Sequence, residues 1–189
     1  DLVAVDNNHV RVNLLGKWGN VVGNSRWSAG PVIHLDFGRD ESDSPKLRGL
    51  SDVGTSFELG GYVGYRAGPY RLRLQFRQDI ANGHHGATLD LHGTIKLYKG
   101  EKLVIAPDIV VTWATARYMK SFFGITATQS AASGLPTFRA GSGFKNVSFS
   151  LLGNYDLSQH WSVLAHIGYK RLLGDAAASP LVRLRGAAD

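Results

Sequence analysis

The chain has 189 residues, of which 23 are glycine and none is cysteine, and a formal net charge of +6. The lack of cysteine excludes a disulfide framework, a thiol nucleophile and a zinc–cysteine site. The positive balance favours acidic partners: nucleic acid, anionic lipid headgroups or phosphorylated glycolipid, and no apolar run approaches the ~20 residues of a transmembrane helix.

Along the chain the dominant period is two, the signature of strands whose alternate side chains point to opposite faces. "DLVAV" reads as the tail of one strand, and "HVRVNLLG" from His9 as a weaker one. "VIHLDFG" sets Ile33, Leu35 and Phe37 against His34 and Asp36. "SFELGGYVGY" sets Phe57, Leu59, Val63 and Tyr65 against Glu58. The cleanest alternation is "YRLRLQFRQ", with Tyr70, Leu72, Leu74 and Phe76 on one face and Arg71, Arg73, Gln75 and Arg77 on the other. "ATLDLHGTIKLY" places Leu89, Leu91, Ile95 and Leu97 opposite Asp90, His92, Thr94 and Lys96. "KLVIAPDIVVTWA", "NVSFSLLGNYD" and "HWSVLAHIGYK" continue the rule, and a last strand is expected to begin at "SPLVR". No amphipathic helix is expected anywhere.

The connections sort by length. Tight turns are expected near Gly68, Gly100 and Ser158, where Gly, Pro and Asp/Ser chemistry suits hairpins. Longer segments run from Gly38 to Thr55, Asp79 to Gly86, Ala116 to Gly143 and Leu173 to Pro180. Short and long alternate, as in an outer-membrane barrel with short periplasmic turns and longer extracellular loops. Tyr65, Tyr70, Trp113, Tyr155, Trp161 and Tyr169 fall near strand ends on the apolar face, where interfacial girdles need amphipathic rings.

"GRDES", "QDIANGHHG", "FFGITATQSAASGLP" and "YKRLLGDAAASPLV" together resemble the MipA/OmpV family, in the expected order and over most of the chain. The resemblance implies an all-β fold: an antiparallel up-and-down transmembrane barrel in the cell outer membrane of Gram-negative bacteria, of about ten strands, or twelve in a full-length protein. It implies one barrel domain over residues 1–189, without some N-terminal strand and without the closing C-terminal strand. It further implies a scaffold of the cell envelope that links a lytic transglycosylase to a peptidoglycan synthase. No catalytic residue, cofactor or metal comes with it. A narrow channel or adhesin, and a barrel hydrolase acting on lipid or lipopolysaccharide, are the alternatives.

Three groups of residues are candidates for function. Glu58, Arg71, Arg73, Arg77 and Asp90 are expected to pair across the lumen, with Asp36 nearby. Such side chains fill a barrel of about ten strands, so the lumen is expected to be narrow or plugged. Phe122, Phe123, Gly124, Gln129, Ser130, Ser133, Gly134 and Pro136 mark the longest connection, expected to fold as a lid at the mouth. Arg39, Lys46, Arg48, Arg117, Lys120 and Arg139 sit in or beside long loops and are expected to meet lipopolysaccharide phosphates. Nucleic acid is disfavoured, because the basic residues alternate with an apolar face rather than forming one patch.

Three further constellations favour plainer readings. His84 or His85 with Ser130 or Ser133 could pair as base and nucleophile, but loop residues bonding their own backbone are the favoured reading. Asp40, Glu41 and Asp43 could hold calcium, yet lack the regular spacing of a calcium loop. His34, His92 and His166 lie on the polar faces of separate strands, where satisfied lumen histidines are the default.

Overall fold

The computed structural model describes residues 3–6, 9–12, 22–24, 26–158 and 161–186. Nine strands follow one another in the sheet: β1 (Val3–Asp6), β2 (His9–Val12), β4 (Trp27–Asp36), β5 (Ser56–Ala67), β6 (Tyr70–Asp79), β7 (Ala87–Ile95), β9 (Leu103–Ala114), β10 (Gly143–Asp156) and β11 (Ser162–Leu172). Two short pieces, β3 (Val22–Gly23) and β8 (Tyr98–Lys99), pair with β4 and β9. Among the described residues every pairing is antiparallel and, the short pieces β3 and β8 aside, joins strands consecutive in the chain, the meander expected from period-two segments joined by turns. The expected all-β class is therefore found. Strands β1 and β11 are the two ends of this order.

The sheet is inside out relative to a soluble one. The row read as apolar is exposed: Leu72 at 53%, Phe76 at 49% and Phe149 at 52%. The row read as polar is buried, with Glu58 at 1%, Asp90 at 5% and Thr112 at 5%. A soluble sheet places its apolar row against a core, because burial of apolar surface drives folding in water. Here polar side chains on β4 to β11 line one cavity of about 540 Å³, from His34 and Asp36 at one side to Lys170 at the other. Residues far apart in strand order share that cavity, so the sheet curls around it.

The connections divide between the two ends of the strands. At one end lie the Gly68 turn, where Gly68 takes a left-handed φ of 56°, the turn at 100–102 and the connection that follows Asp156. At the other end the long segments fold together. Four helices occur there among the described residues: α1 (Ala116–Phe123), α2 (Ala127–Ser133), α3 (Gly174–Ala178) and α4 (Pro180–Arg185). They overturn the expectation of no helix. In α1, Tyr118 and Met119 are buried while Arg117 and Lys120 are exposed, a helical period too brief to stand out in eight residues. In α2, Thr126 and Gln129 form a reciprocal capping box and Gly134 closes the helix in the left-handed conformation.

The expected last strand at "SPLVR" is also corrected: it is α4. Pro180 stands in its first turn, where the ring presets φ and no amide donor is needed. Leu181 is buried with Leu47, Leu50, Ile125 and Leu135 in a small apolar core. A second core joins Ala114, Tyr118, Met119, Ala140 and Ala176, and Phe138 packs against both. The apolar interior of this protein thus sits in the cap formed by its long segments. The sheet's interior is polar.

Candidate functional site

The cavity's end beneath the cap holds a buried charge network. Arg77 on β6 donates through Nη1 to Glu58 Oε2 at 2.7 Å and through Nη2 to Asp90 Oδ2 at 2.8 Å. Register explains the convergence. Arg77 lies beside Gly60 on β5 and Thr88 on β7, so the residues two positions along those strands, Glu58 and Asp90, share its face. Gly60 leaves no side chain in the way, and a Cβ there would strike the Phe76 carbonyl. Asp90 also accepts from the Thr112 hydroxyl at 2.7 Å. Glu58 meets His34 Nδ1 at 2.6 Å and His84 Nε2 at 3.2 Å. One arginine, two histidine rings and the Thr112 hydroxyl thus compensate two carboxylates away from water, the condition for burying charge.

Of the five residues expected to pair across the lumen, the structure brings together Glu58, Arg77 and Asp90. The other two go elsewhere. Arg73 lies over the Tyr62 ring, 3.9 Å from its centroid, and donates to Gln75 Oε1. Arg71 lies near the turn, exposed, facing Arg66 and Thr94 in the ladder. Alternate residues on one face of a strand lie about 6.6 Å apart, so Arg71, Arg73 and Arg77 cannot all reach the same carboxylates. Asp36 is buried and accepts from the Gly38 amide at 2.8 Å.

The cap closes over this network through His84. Its ring contacts Tyr118 edge-on at 4.7 Å and Phe122 at 5.7 Å. Its Nδ1 accepts from the Gly86 amide at 3.0 Å. Tyr118 lines the cavity, and its hydroxyl accepts from Lys145 Nζ at 3.0 Å. Sequence reasoning placed neither His84, Tyr118 nor Lys145 in the network. They come from three different segments, and no local pattern links them.

The loop residues named from the sequence occupy the cap as follows. Phe122 and Phe123 pack against its second core, and Gly124 ends α1 with its amide on the Lys120 carbonyl. Gln129 donates to the Leu50 carbonyl, tying α2 to the segment after β4. Ser130 donates to the Leu135 carbonyl at 2.6 Å, and Ser133 accepts from the Leu135 amide. Pro136 is exposed. Both serines thus serve α2's own turn. His84, with each ring nitrogen engaged, is not brought to either of them.

The basic residues separate. Arg48, Arg117, Lys120 and Arg139 are exposed, and Lys46 is exposed with its ammonium on the Gly186 carbonyl. Arg39 instead turns inward and donates to the Phe122 carbonyl at 2.8 Å. Its burial pushes the guanidinium down from its ordinary value, against the opposing attraction of Asp52. Arg185, unremarked in the sequence, donates to the carbonyls of Lys46, Arg48 and Ser133 and clasps α4 to the cap.

The acidic run is occupied by its own backbone. Asp40 and Asp43 cap a short 3-10 turn reciprocally, and bonds from Ser42 hold the Asp40 carboxyl below the usual carboxylate range. Glu41 accepts from the Ser51 amide. Among the described residues no cluster of His, Asp and Glu has the arrangement of a metal site.

Fold and site together define a class: a curled antiparallel β-sheet, apolar outside and charge-paired inside, closed at one end by a helical cap. The chain belongs to the MipA family, whose model, described as MltA-interacting protein MipA, matches residues 3–188. It is similar to the MltA-interacting proteins of Escherichia coli (strain K12) and Shigella flexneri. Each is 25% identical over 149 residues, which cover 78% of this chain and 59% of the relative. The chain thus matches about three-fifths of the length of these curated relatives. No solved structure matches it.

Proposed function

We propose that this chain forms a capped β-barrel of the Gram-negative outer membrane that acts as a scaffold of the cell envelope. The inversion of burial carries the reading. A sheet with Leu72, Leu74, Phe76 and Phe149 exposed outward, and with Glu58 and Asp90 buried on either side of a half-buried Arg77, suits lipid outside and a polar lumen within. Strands that meet lipid must pair all their backbone groups, which favours closure of the curled sheet into a barrel. Tyr70, Tyr155, Trp161 and Tyr169 are exposed on the same outward side, as an interfacial girdle requires.

The relatives' printed name supports a partner: an MltA-type lytic transglycosylase, with a peptidoglycan synthase as the second expected member of the assembly. The short turns around Gly68, Gly100 and Ser158 would face the periplasm and carry that contact. The exposed cations of the cap would face lipopolysaccharide. Catalysis forms no part of the reading.

Membrane fractionation of the full-length protein, followed by crosslinking and mass spectrometry, tests it. The expected result is recovery with the outer membrane and crosslinks from the short turns to a lytic transglycosylase. Recovery in the soluble fraction would overturn the barrel, and crosslinks confined to the cap would overturn the proposed orientation. A narrow channel is the second reading, favoured by the cavity of about 540 Å³. Large, steady conductance in planar bilayers would replace the plugged scaffold with it.

A further inference from the structure

We propose that His84 is an acid-sensitive latch, which in its neutral form pins the cap onto the lumen network and on protonation releases it. The proposal rests on the capped-barrel reading above. His84 is 1% exposed and has a hydrogen-bond partner at each ring nitrogen. The Gly86 amide can only donate, so Nδ1 carries no proton, and the ring's single proton sits on Nε2, directed at Glu58 Oε1. This tautomer satisfies both sides. A second proton must go on Nδ1, where it meets the Gly86 N–H head-on at a 3.0 Å nitrogen separation.

The groups around the ring favour release over accommodation of that proton. Glu58 on β5 attracts a cation, but it is already met by Arg77 on β6 at 2.7 Å and His34 on β4 at 2.6 Å. Asp90 on β7 is paired with the same Arg77. Asp79 on β6 spends its carboxylate on the amides of Ala81, His84 and His85. On α1, Tyr118 presents a neutral phenol, and Lys145 on β10 adds a positive charge 4.6 Å from the centre of that ring. His85, the loop's other histidine, is exposed.

Release of Gly86 would be transmitted to α1. A Cβ at Gly86 would fall on the Tyr118 backbone, so the loop and the helix are in direct backbone contact. The Ser121 hydroxyl adds a bond to the His84 carbonyl at 3.4 Å. Tyr118 in turn lines the cavity. One protonation is thus coupled to the element that stands over the lumen.

Hydrogen–deuterium exchange on the full chain in detergent micelles tests the latch, between about pH 8 and pH 5, where histidine is the side chain that changes charge. After correction for intrinsic rates, acid should speed exchange in residues 80–86 and 116–123 about five- to tenfold, the scale of one lost hydrogen bond. Amides of β5 to β7 should stay protected. His84→Asn, whose amide oxygen can accept from Gly86 without titrating, should abolish the acid response, and His85→Asn should keep it. Long-range nitrogen NMR of the wild type should show His84 neutral at the higher pH with its proton on Nε2. Equal acid responses in wild type and His84→Asn, or a proton on Nδ1 at the higher pH, would overturn the latch. Loss of β5–β7 protection at both pH values would overturn the barrel reading instead.

Discussion

Arg77 Nη2 lies 2.8 Å from Asp90 Oδ2, although the two residues are not opposite each other in the sheet. In the ladder Arg77 faces Thr88 and Asp90 faces Gln75. The contact is a diagonal one on a shared face, and it leaves Nη1 free to reach Glu58 on the other side. Arg77→Met should therefore strand two buried carboxylates at once. The expected destabilisation is about 3–5 kcal/mol, the usual cost of removing one partner from a buried pair. Asp90→Asn should cost less, because Arg77 keeps Glu58. Urea unfolding of both variants in detergent micelles ranks them, and the opposite ranking would show that Arg77 is not the hub.

The outward face gives a sharper test of the environment. Leu74 is 41% exposed in the middle of β6. If that face meets lipid, Leu74→Arg should cost about 2–4 kcal/mol near the bilayer midplane. If it meets water, the change should stay within about 0.5 kcal/mol, as for most surface substitutions. Refolding equilibria into phosphocholine vesicles distinguish the two.

Close approach of backbones makes Gly86 a probe of the cap. Gly86→Ala drives a methyl into the Tyr118 main chain, whereas a Cβ at Gly153 meets nothing within 4 Å. Gly86→Ala should destabilise by about 1–3 kcal/mol, the range for overpacking, and open residues 116–142 to limited proteolysis. Gly153→Ala should leave the digestion pattern unchanged. Identical patterns in the two variants would mean that the cap does not depend on this contact.

The cap's cations should separate by role. Glutamine at Arg48, Arg117 and Lys120, all exposed, should weaken binding to lipopolysaccharide-containing vesicles and reduce its salt sensitivity. Arg39→Gln should leave vesicle binding nearly unchanged while loosening the cap, because Arg39 is spent on the Phe122 carbonyl. Co-sedimentation at low and high salt, beside a melting curve, reads both effects. A loss of vesicle binding in Arg39→Gln equal to that of the triple variant would return Arg39 to the lipid-facing set.

The helices show where sequence reading fails. α1 and α2 are eight and seven residues long, two turns each, so few residues record a period of 3.6. Isolated helices of that length are marginal in water, and tertiary packing stabilises them. "SPLVR" alternates well enough to pass for a strand start. It becomes α4 because Leu181 has a place beside Leu47 and Leu50 and Arg185 has three carbonyls to bind.

By itself the sequence determined the long strands from β4 to β11, their alternation and their order. Alternation in segments such as "YRLRLQFRQ" is a local property, since adjacent side chains in extended backbone must face opposite ways. Tight turns then force antiparallel neighbours, and the family resemblance lies mainly in the longer connections, in segments such as "QDIANGHHG" and "FFGITATQSAASGLP". Only the tertiary structure decided which of Arg71, Arg73 and Arg77 reaches Glu58 and Asp90, and what holds the cap. Those outcomes depend on register across strands and on contacts between segments far apart in the chain. His84 illustrates this: its partners Glu58 and Tyr118 lie 26 residues before it and 34 after it, and no local pattern in the sequence encodes that meeting.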